Sequence, residues 1–180
     1  MHDGMTDRPD QIIDLTRRHL TAMIALRNRT QAVHHHMLPH VFSRDVNPNL
    51  IKEELKGYLP PWWPFSSRDS FARGWVEGGD LAGYVLFRMG HRPPDGLFLD
   101  RRLVLINDIA VAQAHQDRGI ARALVQNVVD DAAETGDEVE LIATIWEGNA
   151  ASQRVFADQG FAPINTAFSL VLNGTDTNGA

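Results

Sequence analysis

The spacing of apolar positions changes along the chain, and each change marks an expected element. Residues 103–112 are a run rich in branched apolar side chains, which suits a buried strand. From Ala121 the apolar residues fall at Ala121, Leu124, Val125, Val128, Val129 and Ala132, one face of a helix, while Arg122, Gln126, Asn127, Asp130, Asp131 and Glu134 make the other face polar. Residues 139–145 begin with alternation after the Gly136 stop and read as a second strand. Residues 150–159 then read as a short helix closed by Gly160, with Asn149 as its N-cap. On that helix Asn149, Ser152 and Phe156 share one stripe.

The rest of the chain supplies the flanks. Residues 11–16 read as a short strand, and residues 17 to about 33 as a helix turning Leu20, Met23, Ile24 and Ala25 inward, with Thr16 as cap. Residues 49–59 look like a second helix. Residues 70–77 and 81–89, joined by Gly78, Gly79 and Asp80, read as a β-hairpin, and residues 167–172 as a last strand. The polar ends, about 1–10 and 174–180, are expected to be disordered. With no internal repeat or linker, the 180 residues are expected to form one domain.

Between the long strand and the helix from Ala121 lies Gln116, Asp117, Arg118, Gly119, Ile120 and Ala121. A tight turn here aims the unpaired N–H groups of the helix's first turn back toward the strand end, which is an anion site. A helix N-terminus carries roughly half a positive charge, so phosphate oxygens gain charge-assisted hydrogen bonds there. Gly119 lets phosphate approach the backbone closely, and Arg118 and Arg122 add cationic side chains nearby.

These residues resemble the GCN5-related N-acetyltransferases. Their Gln/Arg-x-x-Gly-x-Gly/Ala motif matches Gln116 to Ala121. Their second strand, Asn-led helix and Gly-Phe match Asn149, Ala150, Ala151, Ser152, Gln153, Arg154, Val155 and Phe156, followed by Gly160 and Phe161. About a third of the chain matches closely, with the motifs in the right order. The resemblance implies an α/β (α+β) fold: a central mixed, mostly antiparallel twisted sheet flanked by helices and splayed between its two central strands. It also implies acetyl-CoA as donor, its pyrophosphate held by backbone N–H groups from Gln116 to Ala121 and its pantetheine running beside Ile109, Ala110 and Val111. Asn149 would then contact the pantetheine arm, and Arg122 would approach a CoA phosphate. The implied reaction is direct acetyl transfer to an amine of a small molecule or a protein, with the thioester oxygen received by the backbone N–H of Ala110 or Val111.

Such a reaction needs a group to take the amine's proton. Asp108 is the first candidate and Glu147 another, with the histidines of 34–40 as alternatives; Asp108 reads equally well as a hydrogen-bonded structural carboxylate. Many relatives place a tyrosine seven residues after the asparagine as the acid for the leaving thiolate, whereas this chain has Phe156. Water, Tyr58 or Tyr84 would substitute, leaving Phe156 as a hydrophobic wall beside the sulfur.

Composition narrows the chemistry. There is no cysteine, which excludes disulfides, thiolate metal sites and a cysteine nucleophile. A net charge of −6 disfavours general nucleic-acid binding and weakly favours cationic acceptors. No apolar run approaches the ~20 residues of a membrane span and the first residues do not read as a signal peptide, so cytoplasm is the default expectation. Asn173 sits in a glycosylation sequon read as chance. Four of the eight histidines, His34, His35, His36 and His40, crowd together; imidazoles can bind zinc, but neighbours on a helix point apart, so no metal is expected. Trp62 and Trp63, among prolines, suit core or subunit packing better than an acceptor pocket and, with the last strand, suggest a homodimer. Two competing readings are a CoA-binding regulatory module without turnover and a domain using the same turn for ATP or NAD. The second lacks both the P-loop Lys-Ser/Thr and the three spaced glycines of a dinucleotide site.

Overall fold

A computed structural model describes residues 12–60 and 69–171. Trp62, Trp63, residues 1–10 and residues 174–180 lie outside the described residues. In chain order the elements are β1 (Ile12–Asp14), a 3-10 turn (Arg17–His19) leading into α1 (Leu20–Met37), α2 (Pro48–Lys56), β2 (Ser70–Glu77), β3 (Asp80–Arg92), β4 (Arg101–Val111), α3 (Ile120–Glu134), β5 (Val139–Ala143) and α4 (Ala150–Ala157). The strands form one sheet in the order β1-β2-β3-β4-β5. Each neighbouring pair is antiparallel except β4 and β5, which run parallel. The connection between that parallel pair is α3, since parallel neighbours need a crossover.

Helices cover both faces of the sheet. On one face α1 and α2 deliver Met23, Leu26, Ile51 and Leu55 onto Ala72, Tyr84, Leu86 and Ala110. On the other, α3 and α4 deliver Leu124, Val125, Val128 and Phe156 onto Val85, Phe87, Val104 and Ile106. The expected face of α3 is the buried one, with Ile120 added and Ala121 and Val129 half-buried. Its polar side also has structural work. Arg73 on β2 donates to Asn127 Oδ1 at 2.5 Å and pairs with Asp131 at 2.5 Å, tying the hairpin to the helix.

Several elements differ from expectation. Helix α1 runs on through His34, His35 and His36 to Met37, closed by the Leu38 N–H donating to the His34 carbonyl at 2.9 Å. Helix α2 ends at Lys56, its start fixed by Asn47, whose side chain accepts from the Asn49 N–H at 3.0 Å. The expected last strand is absent over its described part: residues 167–171 have no regular structure, and Phe168 is 94% and Leu170 82% exposed. Its composition suits a strand, but a strand persists only with a ladder partner, and this stretch has none among the described residues.

Strand β4 contains the irregularity that organises the sheet. Leu86 pairs with Asp108, yet the next residue, Phe87, pairs with Ile106, so Asn107 is an extra residue, a β-bulge. Before it, Val104 and Ile106 face the α3 layer. After it the parity reverses: Ile109 and Val111 face α3, while Ala110 and Ala112 face α1. The pairing of β4 with β5 also stops at Ile106 and Ala143, so β4 continues to Val111 with one edge free of ladder partners among the described residues.

The β3–β4 contact leaves little room at Gly83. A Cβ there would sit 2.9 Å from the Ala110 carbonyl oxygen and 3.3 Å from Ile120 Cγ2. Gly83→Ala is therefore expected to cost about 1–3 kcal/mol through overpacking. Thermal melting would read this as a loss of roughly 2–4 °C per kcal/mol; an unchanged midpoint would show that β3 and β4 separate freely.

Candidate active site

The turn after β4 is built from two left-handed residues around Arg118. Asp117 has φ 58° and Gly119 φ 79°. Gly119 is the N-cap of α3, and the first helical bond is from the Ala123 N–H to the Gly119 carbonyl, 2.9 Å. The N–H groups of the first turn thus have no intrahelical acceptor. A Cβ on Gly119 would meet no atom within 4 Å, so the space above the turn is open. Gln116 Nε2 donates to the Val111 carbonyl at 3.3 Å, tying the turn to the end of β4. Arg118 does not stand alone: its Nη2 donates to Glu77 Oε1 at 2.8 Å, and His115 lies 3.3 Å from Glu77 Oε2. The hydrogen bond from Arg118, with desolvation opposing it, holds the Glu77 carboxyl below its ordinary range.

A cleft of about 280 Å³ opens where β4 and β5 part. It is lined by Ile106, Asn107, Asp108 and Ile109 from β4, by Ala143 to Trp146 from β5 and its loop, and by Asn149, Ser152 and Phe156 from α4 and its cap. Arg27, Thr30 and His34 of α1, with Phe42, close the opposite side. Phe42 meets the Trp146 ring edge-on at 4.8 Å and lies 5.0 Å from the His34 ring, bridging the two sides. Asn149 Oδ1 accepts from the Ser152 N–H at 3.1 Å, the expected cap.

Beneath the cleft lies a polar knot. Because the bulge turns Asp108 onto the α1 face, its Oδ2 accepts from the Tyr84 hydroxyl at 2.6 Å and its Oδ1 lies 3.6 Å from Arg27 Nη1. The Asp108 side chain is only 8% exposed. Arg27 also lies 3.6 Å from Glu54 of α2. Burial works against the Arg27 charge, but Asp108 and then Glu54 more than offset it, so the guanidinium is held above its ordinary value. Burial first, then the Asp108 charge, push the Tyr84 phenol well above its ordinary value. At His34 burial dominates and lowers the imidazole, Asp108 opposing and Arg27 reinforcing.

The expected site residues divide into two places. Gln116, Asp117, Arg118, Gly119, Ile120, Ala121 and Arg122 form the turn and the start of α3. Asp108, Ile109, Asn149, Ser152 and Phe156 meet in the cleft, and Ala110 and Val111 continue its β4 edge. Glu147 is exposed on the loop before α4 and is not among the cleft's lining residues. His34, His35 and His36 do not share one site. His34 enters the cleft; the His35 Nδ1 lies 2.7 Å from the Phe42 carbonyl oxygen; and His35 and His36 line a separate open groove with Pro39 and Arg44. Among the described residues no group of three His, Asp or Glu side chains converges as a metal site would need. Sequence reasoning missed Arg27 and Thr30. The available signal was Arg27 standing seven residues before His34, two turns away on the same helical face.

The lowered His34 value has a consequence for stability. The unfolded imidazole, near 6.5, takes its proton before the folded one, so stability is lost as pH falls through that value toward the folded one. His19, lowered chiefly by burial, acts in the same direction. Urea unfolding is expected to give lower stability at about pH 5.5 than at about pH 7.5, and His34→Gln is expected to shrink that difference without removing it. An unchanged pH dependence in the variant would place the titrating group elsewhere.

The family described as "Acetyltransferase (GNAT) family" matches residues 38–161. No curated protein sequence matches the chain as a relative. Among solved structures, the F44R mutant of the BH1408 protein from Bacillus halodurans superposes with TM-score 0.76 at 14% identity, covering 91% of this chain and 99% of that one. A ribosomal-protein-alanine N-acetyltransferase from Brucella melitensis biovar Abortus 2308 gives TM-score 0.62 at 20% identity, covering 90% and 99%. The aminoglycoside N-acetyltransferase AAC(6')-Iy in complex with CoA gives TM-score 0.65 at 16% identity, covering 91% and 95%. These likenesses establish a common fold, and the match over more than two thirds of the sequence means that the chain belongs to the GNAT acetyltransferase family.

Proposed function

We propose that the protein is an acetyl-CoA-dependent N-acetyltransferase that passes an acetyl group to a primary amine by direct attack. The observation that carries this reading is the parting of β4 from β5 after Ile106 and Ala143, with the open helix N-terminus of the Gly119 turn just beyond the end of β4. Pantetheine resembles a peptide, so its amides can pair with the free edge at Ile109, Ala110 and Val111 as an added strand would. The pyrophosphate then meets the N–H groups of Gly119, Ile120 and Ala121, with Arg122 beside them, and the arm passes Asn149, Ser152 and Phe156. The neighbouring fold that carries CoA, AAC(6')-Iy, is consistent with this donor.

With the acetyl group beside β4, the backbone N–H of Ala110 or Val111 stabilises the developing oxyanion. Among the described residues no tyrosine lines the cleft to protonate the leaving thiolate. Phe156 lacks a hydroxyl, Tyr84 is committed to Asp108, and Tyr58 lies outside the cleft lining. A thiol of ordinary pKa, ~8.5, leaves without much help, and water supplies its proton. The acceptor is a small-molecule or protein amine entering past Phe42 and Trp146.

Calorimetry with acetyl-CoA, CoA, ATP and NAD in parallel tests the donor. Micromolar binding of acetyl-CoA with ATP and NAD silent is the expected result, together with thiol release when amines are added; binding without thiol release would favour a regulatory module. Gly119→Glu sets a carboxylate where the pyrophosphate belongs and should weaken acetyl-CoA binding roughly 10- to 100-fold or more. Retained affinity would remove the turn from the donor site.

A further inference from the structure

We infer that His34 is the group that takes the proton from the attacking amine. The inference rests on the transferase reading above and goes beyond it by naming the base. Besides Arg27, which stays protonated, His34 and Asp108 are the titratable side chains among the cleft's described lining residues. Both Asp108 oxygens are engaged, Oδ2 by the Tyr84 hydroxyl at 2.6 Å and Oδ1 by Arg27 at 3.6 Å. Protonating it would break up the knot that anchors α1 to the sheet.

The His34 ring has no such commitment. It is 9% exposed, and its Nδ1 is buried without a hydrogen-bond partner among the described residues. The ring thus carries no hydrogen bond at Nδ1 that would have to be broken before it takes a proton. Its neighbour His35, by contrast, is occupied with the Phe42 carbonyl oxygen. Phe42 packs against the His34 ring at 5.0 Å and is held in turn by Trp146, so the ring is braced on the side away from α1.

The charged groups around the ring act on it in opposite directions. Arg27, two turns back on α1, opposes a second positive charge; Asp108 on β4 favours one; Glu54 on α2 and the Tyr84 hydroxyl on β3 act on these two rather than on the ring directly. Burial tips the balance to the neutral imidazole. The amine lone pair forms the C–N bond at the thioester carbon, and the carbonyl electron pair moves to oxygen. The nitrogen's proton passes to the His34 imidazole, and collapse of the intermediate breaks the C–S bond and releases CoA thiolate, which takes a proton from water. The imidazolium returns its proton to solvent.

The test compares the full-length protein with His34→Gln, which keeps a polar amide but cannot titrate in this range. The probes are acetyl-CoA with neamine, spermidine and a peptide bearing an N-terminal alanine. For an amine turned over by the unaltered protein, the variant is expected to bind acetyl-CoA within about twofold of it by calorimetry and to lose roughly 10²- to 10⁴-fold in kcat/KM. The acidic limb of the pH profile belonging to the imidazole disappears in the variant, and the limb of the amine itself remains. In His34→Gly, added imidazole restores part of the rate. Turnover that survives His34→Gln with the same pH profile overturns this assignment alone. Absence of turnover by the unaltered protein with every probe overturns it together with the transferase reading. The NMR titration of the His34 ring in the acetyl-CoA complex gives a separate check: a midpoint below about 6.5 supports the base role, and one well above it overturns it, because the ring would then be charged at neutral pH.

Discussion

One extra residue in β4 sets the geometry on which the rest depends. Asn107 has no pairing partner on β3, and the strand on either side of it behaves as two strands of opposite parity. Without the bulge, Asp108 would follow Val104 and Ile106 into the apolar layer under α3, where a carboxylate would be buried against Val125 and Val128 with nothing to pair it. With it, Asp108 turns to the α1 face and finds Tyr84 and Arg27. The same point is where pairing with β5 ends, so a local irregularity produces both the cleft and the polar floor beneath it.

That floor fixes α1 relative to the sheet. Arg27 joins Asp108 of β4 to Glu54 of α2, and the Tyr84 hydroxyl joins β3 to the same carboxylate. A pair this buried adds little net stability over an apolar substitute, because desolvation offsets most of the attraction. Its effect is positional: it ties α1 to β4 two turns before His34, which lines the cleft.

Much of this was legible in the sequence, and the reasons are local ones. The α3 face, the β2–β3 hairpin, the Asn149 cap and the Gly119 turn each follow from spacing or from one residue type with a single conformational preference. The bulge had a signal too: the apolar positions move from even (Val104, Ile106) to odd (Ile109, Val111) across two consecutive polar residues. It went unread because the run looked uniformly apolar. The pairing of Arg27 with Asp108 and Glu54 was not legible, since those residues lie far away in sequence and only the folded sheet brings them together. The last strand failed in the opposite direction. Residues 167–171 have the composition of a strand, but pairing is a property of two segments, and composition reports on one.

The electrostatics of the donor turn follow from the same distinction between side chains and backbone. Arg118 looks in the sequence like a phosphate ligand, yet its guanidinium is already engaged with Glu77, whose other oxygen faces His115. A phosphate that recruited Arg118 would share its guanidinium with that carboxylate. The backbone donors face no such competition: Asp117 and Gly119, both left-handed, hold the turn open, and the N–H groups of α3's first turn have no acceptor of their own. Pairing Arg118 with Glu77 therefore serves the site indirectly, because it clamps the turn to the end of β2 and leaves less conformational freedom to lose when an anion arrives. The net charge of −6 does not decide what such a turn attracts. Charges farther away than the Debye length of roughly 8–10 Å are screened, so an anion placed at this turn would meet the local field of a helix N-terminus, whose sign the overall composition does not set.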